Sequence, residues 1–244
     1  IIEFKNVCFR YPDANEDVIT DVNFTAKKGE VIAFIGSTGS GKSTLINLIP
    51  RFYDVTEGAI TVDGVDIRDI NIDTLRKRIG YVPQKGILFS GTIESNIKYG
   101  NDKITDDKMM SSAEIAQATE FIEAKEDKYL SPIAQGGTNV SGGQRQRLSI
   151  ARAIAVDPDI YIFDDSFSAL DFKTDATLRK ELKKVTKDST VFIVAQRIST
   201  IMNADKIIVL DEGKVVGMGT HKELIDTCEV YKEIALSQLS KEEI

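Results

Sequence analysis

Eight consecutive residues limit what this chain can fold into more than any other feature. Gly36-Ser37-Thr38-Gly39-Ser40-Gly41-Lys42-Ser43 matches GxxxxGK[ST] in full. The buried-strand pattern Glu30 to Ile35 enters it, and a helical pattern from Ser43 to Pro50 leaves it. A strand, a tight glycine loop and a helix, in that order, aim backbone N–H groups and a positive helix end at one point, which makes a cradle for phosphate. Gly36, Ser37, Thr38, Gly39, Ser40 and Gly41 would wrap the phosphates, with Thr44 following on the helix. Lys42 would reach the β- and γ-phosphates, and Ser43 would offer its hydroxyl to Mg²⁺. A dinucleotide-type GxGxxG is excluded, because Gly39-Ser40-Gly41 runs on into Lys42-Ser43-Thr44. Such a loop needs an acidic partner for the metal at the end of a buried strand. Ile160-Tyr161-Ile162-Phe163-Asp164 provides it, with Asp164 as the metal-facing carboxylate.

The rest of the chain reads as an α/β protein. Short β-forming runs at Ile2–Lys5, Val7–Phe9, Gly58–Gly64 and Ile79–Val82 flank the loop, the third closing on an Asp-Gly turn. Residues 92–157 show no strand pattern and carry helical stretches, clearest at Lys108–Ala118 and Gln144–Ala155. Alternation then returns, with strands at Ile160–Phe163, Thr190–Ala195 and Lys206–Leu210 and a helix at Thr174–Val185. The expected organisation is a core of residues 1–90 and 158–244 interrupted by a helical subdomain at about 91–157.

Composition removes several function classes. The 31 basic and 38 acidic residues leave a net charge of −7, against a nucleic-acid domain that relies on positive charge. The only histidine is His221, so a His-based metal motif is excluded. Cys8 and Cys228 are too few and too far apart for a disulfide framework, and are expected to be buried, reduced thiols of a cytosolic compartment. No apolar run approaches the roughly 18 residues of a membrane helix, and no signal peptide is visible. The opening at Ile1 rather than Met suggests excision from a longer polypeptide.

Ser141-Gly142-Gly143-Gln144, followed by Arg145-Gln146-Arg147-Leu148-Ser149, narrows the reading. With the two motifs above, it resembles the nucleotide-binding domain of ABC ATPases over essentially the whole chain. The resemblance implies a RecA-like P-loop NTPase core with an antiparallel β subdomain and an inserted α-helical subdomain, binding ATP and Mg²⁺. It also implies head-to-tail pairing with a second such domain, each ATP lying between one phosphate loop and the facing Ser141–Gln144 signature. Tyr11 then matches the aromatic that stacks on adenine. Gln84 matches the glutamine that touches Mg²⁺ and senses the transmembrane partner, and Ser168-Ala169-Leu170-Asp171 matches the loop that crosses to the opposite site. Leu45 to Gly58 and Gln84 to Ile97 resemble exporter half-transporters, which implies a transmembrane domain in the same polypeptide and a place at the cytoplasmic face of the cell membrane.

Three departures from that family pattern are informative. Asp165 stands where the family has the glutamate that activates the attacking water. Losing one methylene withdraws the carboxylate by about 1.5 Å, whereas a general base must lie within about 2.6–3.2 Å of its proton, directly or through one water. Gln196 stands where the family has the histidine that contacts the γ-phosphate, and an amide neither carries charge nor shuttles a proton at neutral pH. Gln135, in Ser131-Pro132-Ile133-Ala134-Gln135-Gly136-Gly137, replaces an expected glutamate. Asp165 and Gln196 belong to one composite site, so the resemblance implies a degenerate half of a heterodimeric exporter. An ordinary homodimeric ABC ATPase and a soluble ABC protein acting on DNA or ribosomes are the alternatives.

Overall fold

The computed structural model describes residues 1–240. Its strands in chain order are β1 Ile2–Phe9, β2 Ile19–Ala26, β3 Val31–Ile35, β4 Glu57–Val62, β5 Val65–Asp66, β6 Ile79–Val82, β7 Gly91–Thr92, β8 Pro132–Ile133, β9 Ile160–Asp164, β10 Thr190–Val194, β11 Lys206–Asp211 and β12 Lys214–Gly219. Six of them form a central sheet in the order β12-β11-β3-β10-β9-β6, parallel except for the β12 edge. Four more form an antiparallel sheet in the order β2-β1-β4-β5. The Asp63-Gly64 turn joins β4 to β5 with φ of 51° and 82°, the left-handed pair that a tight hairpin needs.

The central strands are continuous apolar runs because both faces of the sheet are covered. Ala33, Ile35, Tyr161, Phe163, Val191 and Ile193 point to one core, with Leu148 and Ile150 of helix 142–155 and Leu178 and Leu182 of helix 172–185. Their neighbours Ile32, Phe34, Ile160, Ile162, Phe192 and Val194 point to the other, with Leu45 and Ile46 behind the phosphate loop and Phe4, Val22 and Phe24 of the antiparallel sheet. Phe24 meets Phe34 and Phe192 edge to face at 5.7 and 6.5 Å, tying the two sheets together.

The helices in chain order are α1 Lys42–Asn47, α2 Ile72–Lys77, α3 Ile93–Ile97, α4 Asp106–Ile115, α5 Thr119–Glu123, α6 Gly142–Ala155, α7 Phe172–Val185, α8 Ile198–Ile201, α9 His221–Thr227 and α10 Glu229–Gln238. The expected strandless stretch 92–157 needs one correction, since Gly91–Thr92 and Pro132–Ile133 pair as a two-stranded antiparallel sheet. Two-residue strands carry no periodicity to read. The helix expected at Lys108–Ala118 begins earlier, at Asp106, because the Thr105 side chain caps it, and it stops at Ile115. Likewise α1 ends at Asn47, three residues short of Pro50. Cys8 and Cys228 are both free and buried. Among the described residues no helix is long and apolar enough to cross a membrane.

Candidate functional site

Parallel order puts the carboxyl ends of β3, β6, β9 and β10 on one edge, where open α/β sheets place their ligands. Phe34 and Asp164 both pair with Val194, and Val82 pairs with Phe163, so these strands end level. The segments leaving the strands therefore converge: Gly36 after β3, Gln84 after β6, Asp165 after β9 and Gln196 after β10. A cavity of about 310 Å³ collects Thr38, Gly39, Lys42, Gln84, Asp165 and Gln196 on its wall. Gly41, Ser43 and Thr44 line it as well.

The phosphate loop is shaped by exclusion as well as by backbone angle. A Cβ on Gly36 would collide with the Leu210 carbonyl and with Ser40 Oγ, and Gly41 has φ 101° with Ile19 packed against it. Gly39, φ 80°, meets nothing within 4 Å; it needs only the left-handed angle. Lys42 Nζ donates to the carbonyls of Gly36 at 2.6 Å and Ser37 at 2.9 Å, curling the loop around an ammonium that is 7% exposed. Burial lowers the Lys42 pKa, opposed by Asp165 and Asp164.

Ser43 Oγ donates to Asp164 Oδ1 at 2.8 Å, joining the first turn of α1 to the end of β9. Burial pushes the Asp164 carboxyl above the usual aspartate range, against the bond from Ser43. Asp165 is likewise pushed up, by burial first and by Asp164 second. Its backbone sits at φ 49°, the left-handed region that Asp and Asn tolerate better than most residues, and its N–H donates to Val194 O at 2.8 Å. Gln84 Nε2 donates to Asp165 Oδ2 at 3.2 Å. The donors around Ser43 are therefore a hydroxyl, an amide and two carboxylates, an all-oxygen set that suits Mg²⁺. No group of three or more His, Cys, Asp or Glu residues assembles a metal site among the described residues.

Gly36, Ser37, Ser40 and Asp164 adjoin the cavity through Lys42 and Ser43 without lining it, and two further groups of expected site residues lie away from it. Tyr11 packs edge-on against Phe9 and Tyr53 at 4.9 and 5.3 Å, and its hydroxyl meets Thr44 Oγ1 at 2.7 Å, so it stands at the rim of α1. Ser141, Gly142, Gly143 and Gln144 form the N-terminus of α6, where Ser141 Oγ accepts from Gln144 N at 3.1 Å and Gln144 Oε1 accepts from Ser141 N at 3.2 Å. Ser141 and Gly142 are exposed. Gln135 also lies apart, accepting from Ser90 N at 3.3 Å.

Sequence reasoning missed Gln146. This amide is 1% exposed; it accepts from Gly86 N at 2.7 Å and donates to Pro83 O at 3.0 Å, spanning the loop that carries Gln84. It straps the Gln84 loop to the helix that begins at Ser141. A lone glutamine inside a helix gives no spacing signal for such a role. A roomier groove of about 730 Å³ between α4, α5 and α7 is lined by Glu114, Glu120 and Glu181 and carries no cation, which makes it unsuited to phosphate.

Residues 19–168 match the ABC transporter family. An ABC transporter ATP-binding protein of Mycobacterium tuberculosis (strain ATCC 25618 / H37Rv) is 47% identical over 241 residues, covering 98% of this chain and 41% of the relative. The ABC transporter ATP-binding protein YfiB of Bacillus subtilis (strain 168) is 45% identical over 241 residues, covering 99% and 42%. The structure of a bacterial Atm1-family ABC exporter with ATP bound superposes with a TM-score of 0.94 at 34% identity, covering 98% of this chain and 42% of that one. The chain thus spans about two fifths of the length of these relatives.

Proposed function

The chain belongs to the ABC transporter family, and from that premise we propose that it is the ATP-binding domain of an exporter half-transporter whose own ATP site is degenerate. It binds Mg-ATP, pairs head to tail with a second nucleotide-binding domain from a different half-transporter, and works beneath a transmembrane domain of its own polypeptide at the cytoplasmic face of the membrane. In this reading residues 1–90 and 158–244 are the ATP-binding core and about 91–157 the helical subdomain.

One observation carries the proposal: Asp165 and Gln196 share the wall of a single cavity with Lys42, while the Ser141–Gln144 terminus, exposed at Ser141 and Gly142, lies outside it. Both departures from the family pattern therefore weaken the same site, and the intact signature is free to serve the facing one. At the cavity, Lys42 and the loop N–H groups bind the phosphates, and Ser43, the Asp164 bonded to it, and Gln84 are the residues that would hold Mg²⁺. The cation, when bound, neutralises charge on the β- and γ-phosphate oxygens. Tyr11 offers an aromatic face to the base. Asp165, set back by one methylene, positions water poorly, and Gln196 donates a hydrogen bond to the γ-phosphate without charge. Ser141 and the N–H groups of Gly142 and Gly143 cap the γ-phosphate of the partner's ATP.

Steady-state phosphate release by the chain alone tests this. The expected rate lies well below the roughly 1 s⁻¹ lower end of ordinary enzyme turnover, with Mg-ATP binding intact. A rate of that order or faster would support an ordinary homodimeric ATPase instead.

A further inference from the structure

Gln196 sits in the three-residue link between β10 and α8. α8 spans only Ile198–Ile201 and has no side-chain cap of its own. The missing partner comes from the far end of the chain. Gln238, the last residue of α10, accepts from Ile198 N at 2.8 Å and donates to Gln196 O at 2.7 Å. One side-chain amide thus ties Gln196 and Ile198 on either side of Arg197. The face of α10 bearing Val230, Ile234 and Gln238 borders a cavity of about 430 Å³ whose other wall includes Ser37, Thr38 and Gln196. Thr38 and Gln196 also line the phosphate cavity, so the link separates the two spaces. On its other side Arg197 Nη2 donates to Phe167 O at 2.8 Å and Leu170 O at 3.4 Å, and its guanidinium lies 5.0 Å from the Phe172 ring centre.

The geometry points to Gln238 as a positioning residue: its amide sets the 196–198 backbone so that Gln196 faces the γ-phosphate. This rests on the nucleotide-site reading above. It makes α10 a regulatory input to the site, because displacing that helix releases Gln196.

Calorimetric titration of the 244-residue chain with Mg-ATP and with Mg-ADP tests the assignment. Only ATP has the γ-phosphate, so Gln238→Ala should weaken ATP binding about fivefold, the worth of one typical hydrogen bond, and leave ADP binding unchanged. Gln238→Glu keeps an acceptor for Ile198 N but turns a carboxylate oxygen toward Gln196 O, and should weaken ATP at least as much; it also serves if the alanine variant misfolds. In a Gln196→Ala background neither change should alter ATP binding further, as expected for two residues acting through one contact. Equal losses for ATP and ADP, or an unchanged ratio, or a loss that persists in the Gln196→Ala background, would overturn the assignment. A parent chain that binds neither nucleotide overturns the nucleotide reading, and the assignment with it. A parent that binds both, with a ratio untouched by Gln238 changes, overturns the assignment alone.

Discussion

The charges at the phosphate cavity are arranged against stability. Asp164 and Asp165 are each 9% exposed, and Lys42 is the one buried cation among the described residues beside them. A carboxyl whose folded pKa lies above its ordinary 3.8 binds more protons in the folded state than in the unfolded one, so stability falls as pH rises through that interval. Asp164→Asn should therefore raise the thermal midpoint of the nucleotide-free chain near pH 7, and the advantage should vanish once the pH lies well below 3.8, where both states are protonated. Melting curves at the two pH values check it, and a lower midpoint at neutral pH would contradict it. The second prediction at this scale restores chemistry. Asp165→Glu together with Gln196→His should raise ATP hydrolysis at least about tenfold, or 1.4 kcal/mol, inside the range assigned to a general base. The left-handed backbone at residue 165 sets a modest counter-cost, since Asp tolerates φ 49° better than Glu through its short polar side chain. The double variant should consequently be faster and less stable than the parent. Phosphate release and melting, measured on the same sample, separate the two effects.

Elements act here through the loops they hold. α6 carries Ser141–Gln144 at its first turn and Gln146 on its buried face, so two hydrogen bonds tie the helix to the Gln84 loop. Gln146→Leu fills similar space but strands Gly86 N and Pro83 O, both at or near burial. Each unsatisfied group costs about 1–3 kcal/mol, so the expected loss is about 2–6 kcal/mol. Chemical denaturation measures it, and a loss under about 1 kcal/mol would mean that water replaces the amide. α8, four residues long, can end a strand at the site for a similar cause: its first N–H is satisfied from α10 rather than from its own sequence.

At the scale of the whole molecule, the cavity and the Ser141 terminus lie apart, and in the proposed function they serve different sites. Head-to-tail pairing predicts complementation. In the Asp165→Glu, Gln196→His background, adding Lys42→Ala removes the phosphate contact, and adding Ser141→Arg blocks the signature, so each chain alone should be inactive. Mixed pairs contain one site with both halves intact, so the mixture should hydrolyse ATP where neither component does. Loss of the Ser141 cap lowers stability by about 1 kcal/mol, too little to unfold a domain of this size. A mixture as inactive as its components would show that Ser141–Gln144 does not serve a facing site.

What the sequence determined by itself was local. The glycine loop, its entering strand and leaving helix, the β9 run ending in Asp164 and the helix opening at Ser141 are short-range patterns governed by backbone sterics and apolar periodicity. So too are the identities of Asp165 and Gln196, which stand out because they interrupt a recognisable pattern. β2 and β12 were harder to read: bulges break the β1–β2 register, and β12 is a half-exposed edge that mixes glycine with apolar residues. Only the tertiary structure decided that β3, β6, β9 and β10 end level although they are spread between residues 31 and 194, because sheet order is set by which faces pack and not by spacing along the chain. It alone gave Asp165 its left-handed backbone and assigned Gln146 and Gln238 to loops 60 and 42 residues away. A single amide has no periodicity, and its partners become visible only when two distant backbones are folded side by side.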